Sequence, residues 1–273
     1  MIINYCTSFL VHGLTSLTTP LYCHFRNVKA RAYIPTVIGK AANIQLELHT
    51  DINVDELKSG NLLSFGQLPL LVDGDVTLCQ TGAIARYLAR KGGIEGDTPM
   101  EYALSEMLIE ESQDLFGILL TANFATDKIN AYSKLFTADG EISVHLKYLE
   151  SLHPGTTNVF YFPKPLAGSY AIAAILDMIF ALEPTSLEAF PNVKLFYESM
   201  IKLPAFDEVK DFDMLLKRFV TVGAIDGTKA EGVGAEKEES NRLAEEAAAN
   251  AKLLEEDRAA EEASAKVLTD YAF

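Results

Sequence analysis

Cysteine is scarce in this 273-residue chain. Cys6, Cys23 and Cys79 are odd in number and widely spaced, so neither a disulfide framework nor a metal knuckle is indicated. No Cys-x-x-Cys or Cys-Pro pair is present, which weighs against a thiol-disulfide oxidoreductase working through Cys23. The five histidines, His12, His24, His49, His145 and His153, show no ligand spacing, and no metal is expected. Basic charge is also short. With 23 Lys and Arg against 38 Asp and Glu, the net charge is −15, which excludes the basic face of a nucleic-acid binder. No apolar run approaches membrane-spanning length, so no membrane segment is expected. The first twenty residues lack a Lys or Arg before the short apolar run Phe9–Val11, and Thr15–Thr19 is hydroxyl-rich without arginine. They read as an N-terminal extension rather than a targeting signal. A reducing, cytoplasmic location is the expectation.

A hydrophobic content of 49% supports one or two domains with a sizeable core. Leu21–Phe25 predicts a short strand, and Ala32, Val37, Ile38, Ala41 and Ala42 predict a helix. Ile44–Leu48 alternates as a second strand, and Asp55–Ser59 suits a short helix. Leu68–Val72 and Val76–Cys79 predict strands joined at Asp73-Gly74, a dipeptide favoured in tight hairpins. A helix follows with Ala83, Ile84, Tyr87 and Leu88 on one face. This β-α-β-α-β-β-α order implies a small mixed sheet over residues 21–91. Glycines 92, 93 and 96 mark a linker, after which residues 98–220 read as helix. Thr98-Pro99 opens one helix and Ile142–Leu152 forms another. Ala171–Leu182 is apolar nearly all round, with Asp177 its only charge, and belongs at a bundle centre, Ser169 being its candidate cap. Residues 221–235 are a small-residue linker, and 236–273 form an Ala/Glu-rich tail, helical or disordered, with no sustained heptad seam.

The segment from Phe65 to Ala89 carries the most chemistry. A helix N-terminus presents unpaired N–H groups and positive potential, so Gln80-Thr81 at the helix entrance suits a small carboxylate. The alternative is that Thr81 only caps the helix. The combination Gln67-Leu68-Pro69 with Gln80-Thr81 resembles the glutathione-binding half of the cytosolic glutathione transferases. Phe190-Pro191-Asn192-Val193 followed by Leu203-Pro204 also resembles the family, so the likeness spans about residues 21 to 219.

The resemblance implies a thioredoxin-like N-terminal domain followed by an all-helical bundle domain, with glutathione as co-substrate. It implies that Leu68-Pro69 is a cis step whose backbone pairs with the cysteinyl part of glutathione. Gln80 and Thr81 would then hold the γ-glutamyl group, beside Gln67. The family's activating tyrosine falls on Phe25, in the stretch Phe25 to Tyr33, and Phe25 has no hydroxyl. Arg31 matches an arginine that in some classes sits near the glutathione sulfur or carboxylate, and is the candidate thiolate stabiliser. The family's Trp and Lys fall on Glu56 and Gly60, with Lys58 close by. Asp114 matches an aspartate that reaches the partner subunit's glutathione, implying a homodimer. Met107, Glu111 and Phe206 are candidate liners of the electrophile site.

Two functions stand side by side at this point. One is a glutathione transferase of the sigma/alpha/pi/mu-like kind, conjugating or isomerising small electrophiles. The other is a non-catalytic relative serving as a scaffold or assembly subunit, motivated by Phe25, Glu56, Gly60 and a tail able to dock a partner protein.

Overall fold

A computed structural model describes residues 19–22, 28–50, 52–152 and 162–214. The expectations for Phe25, Cys23, the first eighteen residues and the C-terminal linker and tail lie outside these residues.

The N-terminal half is built on strands β1 (Thr19–Tyr22), β3 (Leu46–His49), β4 (Leu70–Asp73) and β5 (Val76–Cys79), with a two-residue strand, β2 (Val28–Lys29), after β1. The four longer strands form one sheet in the order β3-β1-β4-β5. Strand β1 runs parallel to β3 and antiparallel to β4, and β4–β5 is an antiparallel hairpin. Its two-residue loop is Gly74-Asp75, because Asp73 pairs with Val76. The turn thus lies one residue later than the Asp-Gly pair suggests. Gly74 takes φ 59° at the first loop position, where a side chain would be strained.

Three helices cover this sheet: α1 (Tyr33–Ala41), α2 (Val54–Ser59) and α3 (Thr81–Lys91). Leu21 and Leu71 face α1 and α3, joining Val37, Ile38, Ile84 and Leu88 in the main core. The alternate residues Tyr22 and Leu70 turn to the other face, where a smaller cluster forms with Leu57, Leu63, Leu68 and Cys79. Residues 33–39 of α1 are all buried, as expected of a helix lying between two packed layers.

The C-terminal half contains α4 (Pro99–Asn123), α5 (Lys128–Leu135), α6 (Glu141–Leu152), α7 (Ala167–Leu182), α8 (Pro191–Met200) and α9 (Pro204–Asp207), then strand β6 (Asp213–Met214). Thr98 and Glu101 form a reciprocal capping box on α4. Helix α7 is the centre of the bundle, and its start is satisfied from elsewhere. The Ala167 N–H donates to the Ile94 carbonyl (2.9 Å), and the Gly168 N–H donates to Ser105 Oγ of α4 (2.9 Å). Ser169 is not the cap. It is the third helical residue, and its Oγ accepts from the Leu166 N–H at 3.3 Å. The fold is therefore a thioredoxin-like layer of mixed sheet and helices followed by an all-helical bundle. β6 returns to pair in parallel with β2, Val28 opposite Asp213 and Lys29 opposite Met214.

Candidate functional site

Pro69 follows Leu68 through a cis peptide bond. The sheet ladders begin two residues beyond Leu68, since Leu70 pairs with both Tyr22 and Cys79. The Leu68 backbone therefore lies outside both ladders. The Leu68 side chain is buried against the α2-side cluster, while Gln67 is exposed.

Gln80 connects β5 to α3 with φ 74° and ψ 121°, a conformation that L residues rarely adopt. It occupies the N-cap position without making a side-chain cap hydrogen bond. The first backbone bond of α3 runs from the Ile84 N–H to the Gln80 carbonyl (3.0 Å), so the amides of Thr81, Gly82 and Ala83 precede the helical ladder. Helices α2, α4 and α5 end differently: Asn53, Thr98 and Asp127 cap them with side-chain oxygens. Thr81 is thus not a cap. It is the first helical residue, buried, and its Oγ1 donates to the Arg31 carbonyl at 3.2 Å. With its proton committed there, this hydroxyl has lone pairs left to accept a donor.

That bond brings Arg31 to the same place as Gln80-Thr81. The Arg31 guanidinium lies over the Phe116 ring of α4, 5.1 Å from the centroid, within cation–π range. Leu68-Pro69 thus lie just before the start of β4, beside the β5–α3 junction that carries Gln80-Thr81, and Thr81 ties that junction to Arg31 at the entry to α1.

Asp114 is elsewhere. It is exposed on α4 and lines an open groove of about 490 Å³ with Gln113, Gly117, Ile118, Thr121, Glu141 and His145. Beside the groove, His145 Nδ1 lies 2.7 Å from Glu111 Oε1. Of the candidate liners, Met107 is exposed, Glu111 is paired with His145, and Phe206 is buried and stacked on Tyr170. Phe206 is a core residue. Glu56 belongs to the α2 cap, with its Oε1 accepting from Asn53 Nδ2 (3.0 Å), and Gly60 ends that helix. Lys58 runs alongside Gly66, its Cε 3.8 Å from where a Cβ would sit there.

One cluster was only half visible in the sequence. Asp177, the single charge of α7, accepts from Tyr33 Oη at Oδ2 (2.6 Å) and from Tyr197 Oη at Oδ1 (3.1 Å), and pairs with Lys29 Nζ at Oδ2 (2.7 Å). Burial raises the Tyr33 and Tyr197 phenols above their ordinary range, and the Asp177 charge raises them further. The lone charge in an apolar helix was the signal, but its partners lie on other elements.

Residues 24–90 match the family model described as glutathione S-transferase, N-terminal domain. Glutathione S-transferase 2 of Onchocerca volvulus is 34% identical over 147 residues, 53% of this chain and 69% of that protein. The chain belongs to the glutathione S-transferase family. Mouse glutathione S-transferase Mu 4 is 30% identical over 153 residues, 55% of this chain and 68% of that protein. A solved pi-class glutathione S-transferase of Onchocerca volvulus shares the fold with a TM-score of 0.60 and 24% identity, covering 71% of this chain and 92% of that one. The glutathione S-transferase fold thus accounts for both described halves. Among the described residues, no helix is long and apolar enough to cross a membrane, and no cluster of His, Cys, Asp or Glu is arranged to hold a metal.

Proposed function

We propose that this protein binds reduced glutathione and catalyses attack of its thiolate on small electrophiles. The observation that carries this reading is the start of α3. Its leading amides have no side-chain cap, follow directly on Cys79, the ladder partner of Leu70, and are tied to Arg31 through Thr81.

In this reading the γ-glutamyl carboxylate takes the Thr81 and Gly82 amides, where the helix dipole favours an anion. The γ-glutamyl ammonium donates to Thr81 Oγ1. The cysteinyl backbone pairs with Leu68 at the Leu68-Pro69 step, with Gln67 at the rim. Lys58, beside Gly66, suits the glycyl carboxylate, replacing a lysine that the family pattern would place at Gly60. The Arg31 guanidinium favours the ionised thiol by Coulomb attraction. The thiol proton leaves to water, and the sulfur electron pair forms the new C–S bond. With a chlorinated dinitrobenzene, chloride departs with the C–Cl pair. Phe25 offers no hydrogen bond to sulfur, so thiolate stabilisation falls on Arg31.

Residues 21–91 form the glutathione-binding domain and 98–220 the helical domain, working in a reducing compartment. The active form is a homodimer in which the α4–α6 groove containing Asp114 faces a second copy. Phe65, 67% exposed beside Gln67, is the kind of apolar side chain that an interface covers.

Calorimetry on the full-length protein tests the reading. Millimolar glutathione should release or absorb heat with saturable binding, and conjugation should exceed the background rate. Absence of heat refutes the proposal. Phe25→Tyr should raise kcat roughly tenfold or more, because a hydrogen bond to a charged group contributes about 1.5–3 kcal/mol.

A further inference from the structure

Among the described residues no ion pair holds the Arg31 guanidinium, and the course of the backbone beneath it is fixed by its neighbours in the chain. Lys29, two places before it, is 7% exposed, and Tyr33, two places after it, is 1% exposed. Both end on one oxygen of the same carboxylate. Lys29 Nζ is 2.7 Å and Tyr33 Oη 2.6 Å from Asp177 Oδ2. The Lys29 ammonium also lies 5.7 Å from the centroid of the Tyr33 ring. The other carboxylate oxygen is held by Tyr197 Oη at 3.1 Å, so the anchor itself is oriented from α8.

The five residues from Lys29 to Tyr33 therefore form a bridge, pinned at both ends on α7 and carrying Arg31 at its middle. Two further contacts complete its placement. The Arg31 carbonyl takes the Thr81 hydroxyl, and its guanidinium rests over Phe116 of α4. Helix α4 is locked against α7 where Gly168 approaches Ser105, whose Oγ accepts the Gly168 N–H at 2.9 Å. The same pair of helices supplies both the seat of the guanidinium and the anchor of the backbone beneath it.

We propose that Asp177 is a positioning residue of the glutathione site, fixing the Arg31 guanidinium relative to the bound thiol by holding Lys29 and Tyr33. The inference rests on the reading of Arg31 as thiolate stabiliser. Asp177 touches neither glutathione nor the electrophile. Its effect is on where positive charge sits, and a displacement of about 1 Å in such a group is costly to catalysis. The Thr81 and Gly82 amides and the Leu68 backbone, which carry most of the proposed glutathione contacts, lie at the start of α3 and before β4 and do not pass through Asp177. Loss of the anchor should therefore act on thiol ionisation and leave binding nearly intact.

The test compares full-length wild type with Asp177→Asn and Tyr33→Phe. Three quantities are read: glutathione binding by calorimetry, the pKa of the bound thiol from the ultraviolet absorbance of the thiolate, and kcat and KM with a chlorinated dinitrobenzene. In Asp177→Asn the bound thiol should titrate about one unit higher, kcat below that pKa should fall about tenfold, and KM for glutathione should stay within about twofold. Tyr33→Phe, which removes one hydroxyl and keeps the ring, should shift the same quantities in the same direction by about threefold. A merely structural Asp177 would lower the folded fraction and leave the thiol pKa where it is. Folded variants that bind glutathione with an unshifted thiol pKa overturn the positioning role while the proposed function stands. If Asp177→Asn does not fold, Tyr33→Phe decides alone by the same readout. If the wild type binds no glutathione, the proposed function falls first and the role of Asp177 with it.

Discussion

Thr81 joins two chemistries through one hydroxyl, at the first position of α3 and at the Arg31 carbonyl. Thr81→Val keeps the shape and removes the polar atom. It should raise KM for glutathione roughly fivefold to tenfold, in line with about 1–1.5 kcal/mol for one hydrogen bond, and steady-state kinetics would check it. Tyr33 gives a prediction in pH. Burial, then the Asp177 charge, holds its phenol above the ordinary value of 10 in the folded chain. A raised folded pKa contributes stability that is fully present below pH 10 and is lost as pH rises past it. Each such tyrosine adds a slope of about 1.4 kcal/mol per pH unit. Urea unfolding at pH 9, 10 and 11 should show a shallower alkaline loss in Tyr33→Phe than in wild type, with Tyr197 and the other raised phenols, Tyr22, Tyr87, Tyr132 and Tyr170, contributing to what remains. That Leu68-Pro69 leads into β4 and Gln80-Thr81 opens α3 was legible from the sequence, because the Leu-Pro step and the polar helix entrance sit close together in the chain. That Thr81 is not a cap was not legible, since its acceptor is fifty residues away.

Helices α4 and α7 meet at Gly168, where a Cβ would come within 2.4 Å of the Ser105 carbonyl oxygen. The obstacle is backbone and cannot swing aside. Gly168→Ala should therefore cost about 3 kcal/mol or more, at the upper end of overpacking effects. Its urea midpoint should drop at unchanged m-value, and a midpoint equal to wild type would show that the two helices separate easily. The elements themselves followed from periodicity. α3 and α6 fall close to where the apolar spacing placed them, and α7 is buried as an all-round apolar helix must be. The start of α7 was misjudged because the carbonyl and hydroxyl that satisfy it, from Ile94 and Ser105, belong to other elements. Strand β2 was invisible for a similar reason. Two residues carry no period, and its partner β6 lies near the far end of the described chain.

At the scale of the whole molecule, the groove between α4 and α6 is the face on which the proposed homodimer can be tested. Gly117 lines it, and a Cβ there would meet nothing within 4 Å. Gly117→Trp should fill the groove without disturbing the monomer. Light scattering should then change from about twice the 29.9 kDa chain mass to a single copy, while the helical circular dichroism stays the same. A variant that still weighs as a dimer would move the interface off this face. By itself the sequence determined the order of the four longer strands and of the helices among them, the hairpin, the all-round apolar surface of α7 apart from Asp177 and the likeness to the glutathione transferases, because each is written in residues a few places apart. The tertiary structure decided which carboxylate holds Lys29 and Tyr33, which aromatic ring receives Arg31, and how the leading amides of α7 are satisfied. Those outcomes depend on long-range closure of the chain, where a buried charge or N–H must find a partner and any compatible group in the sequence is a candidate until packing brings one within reach.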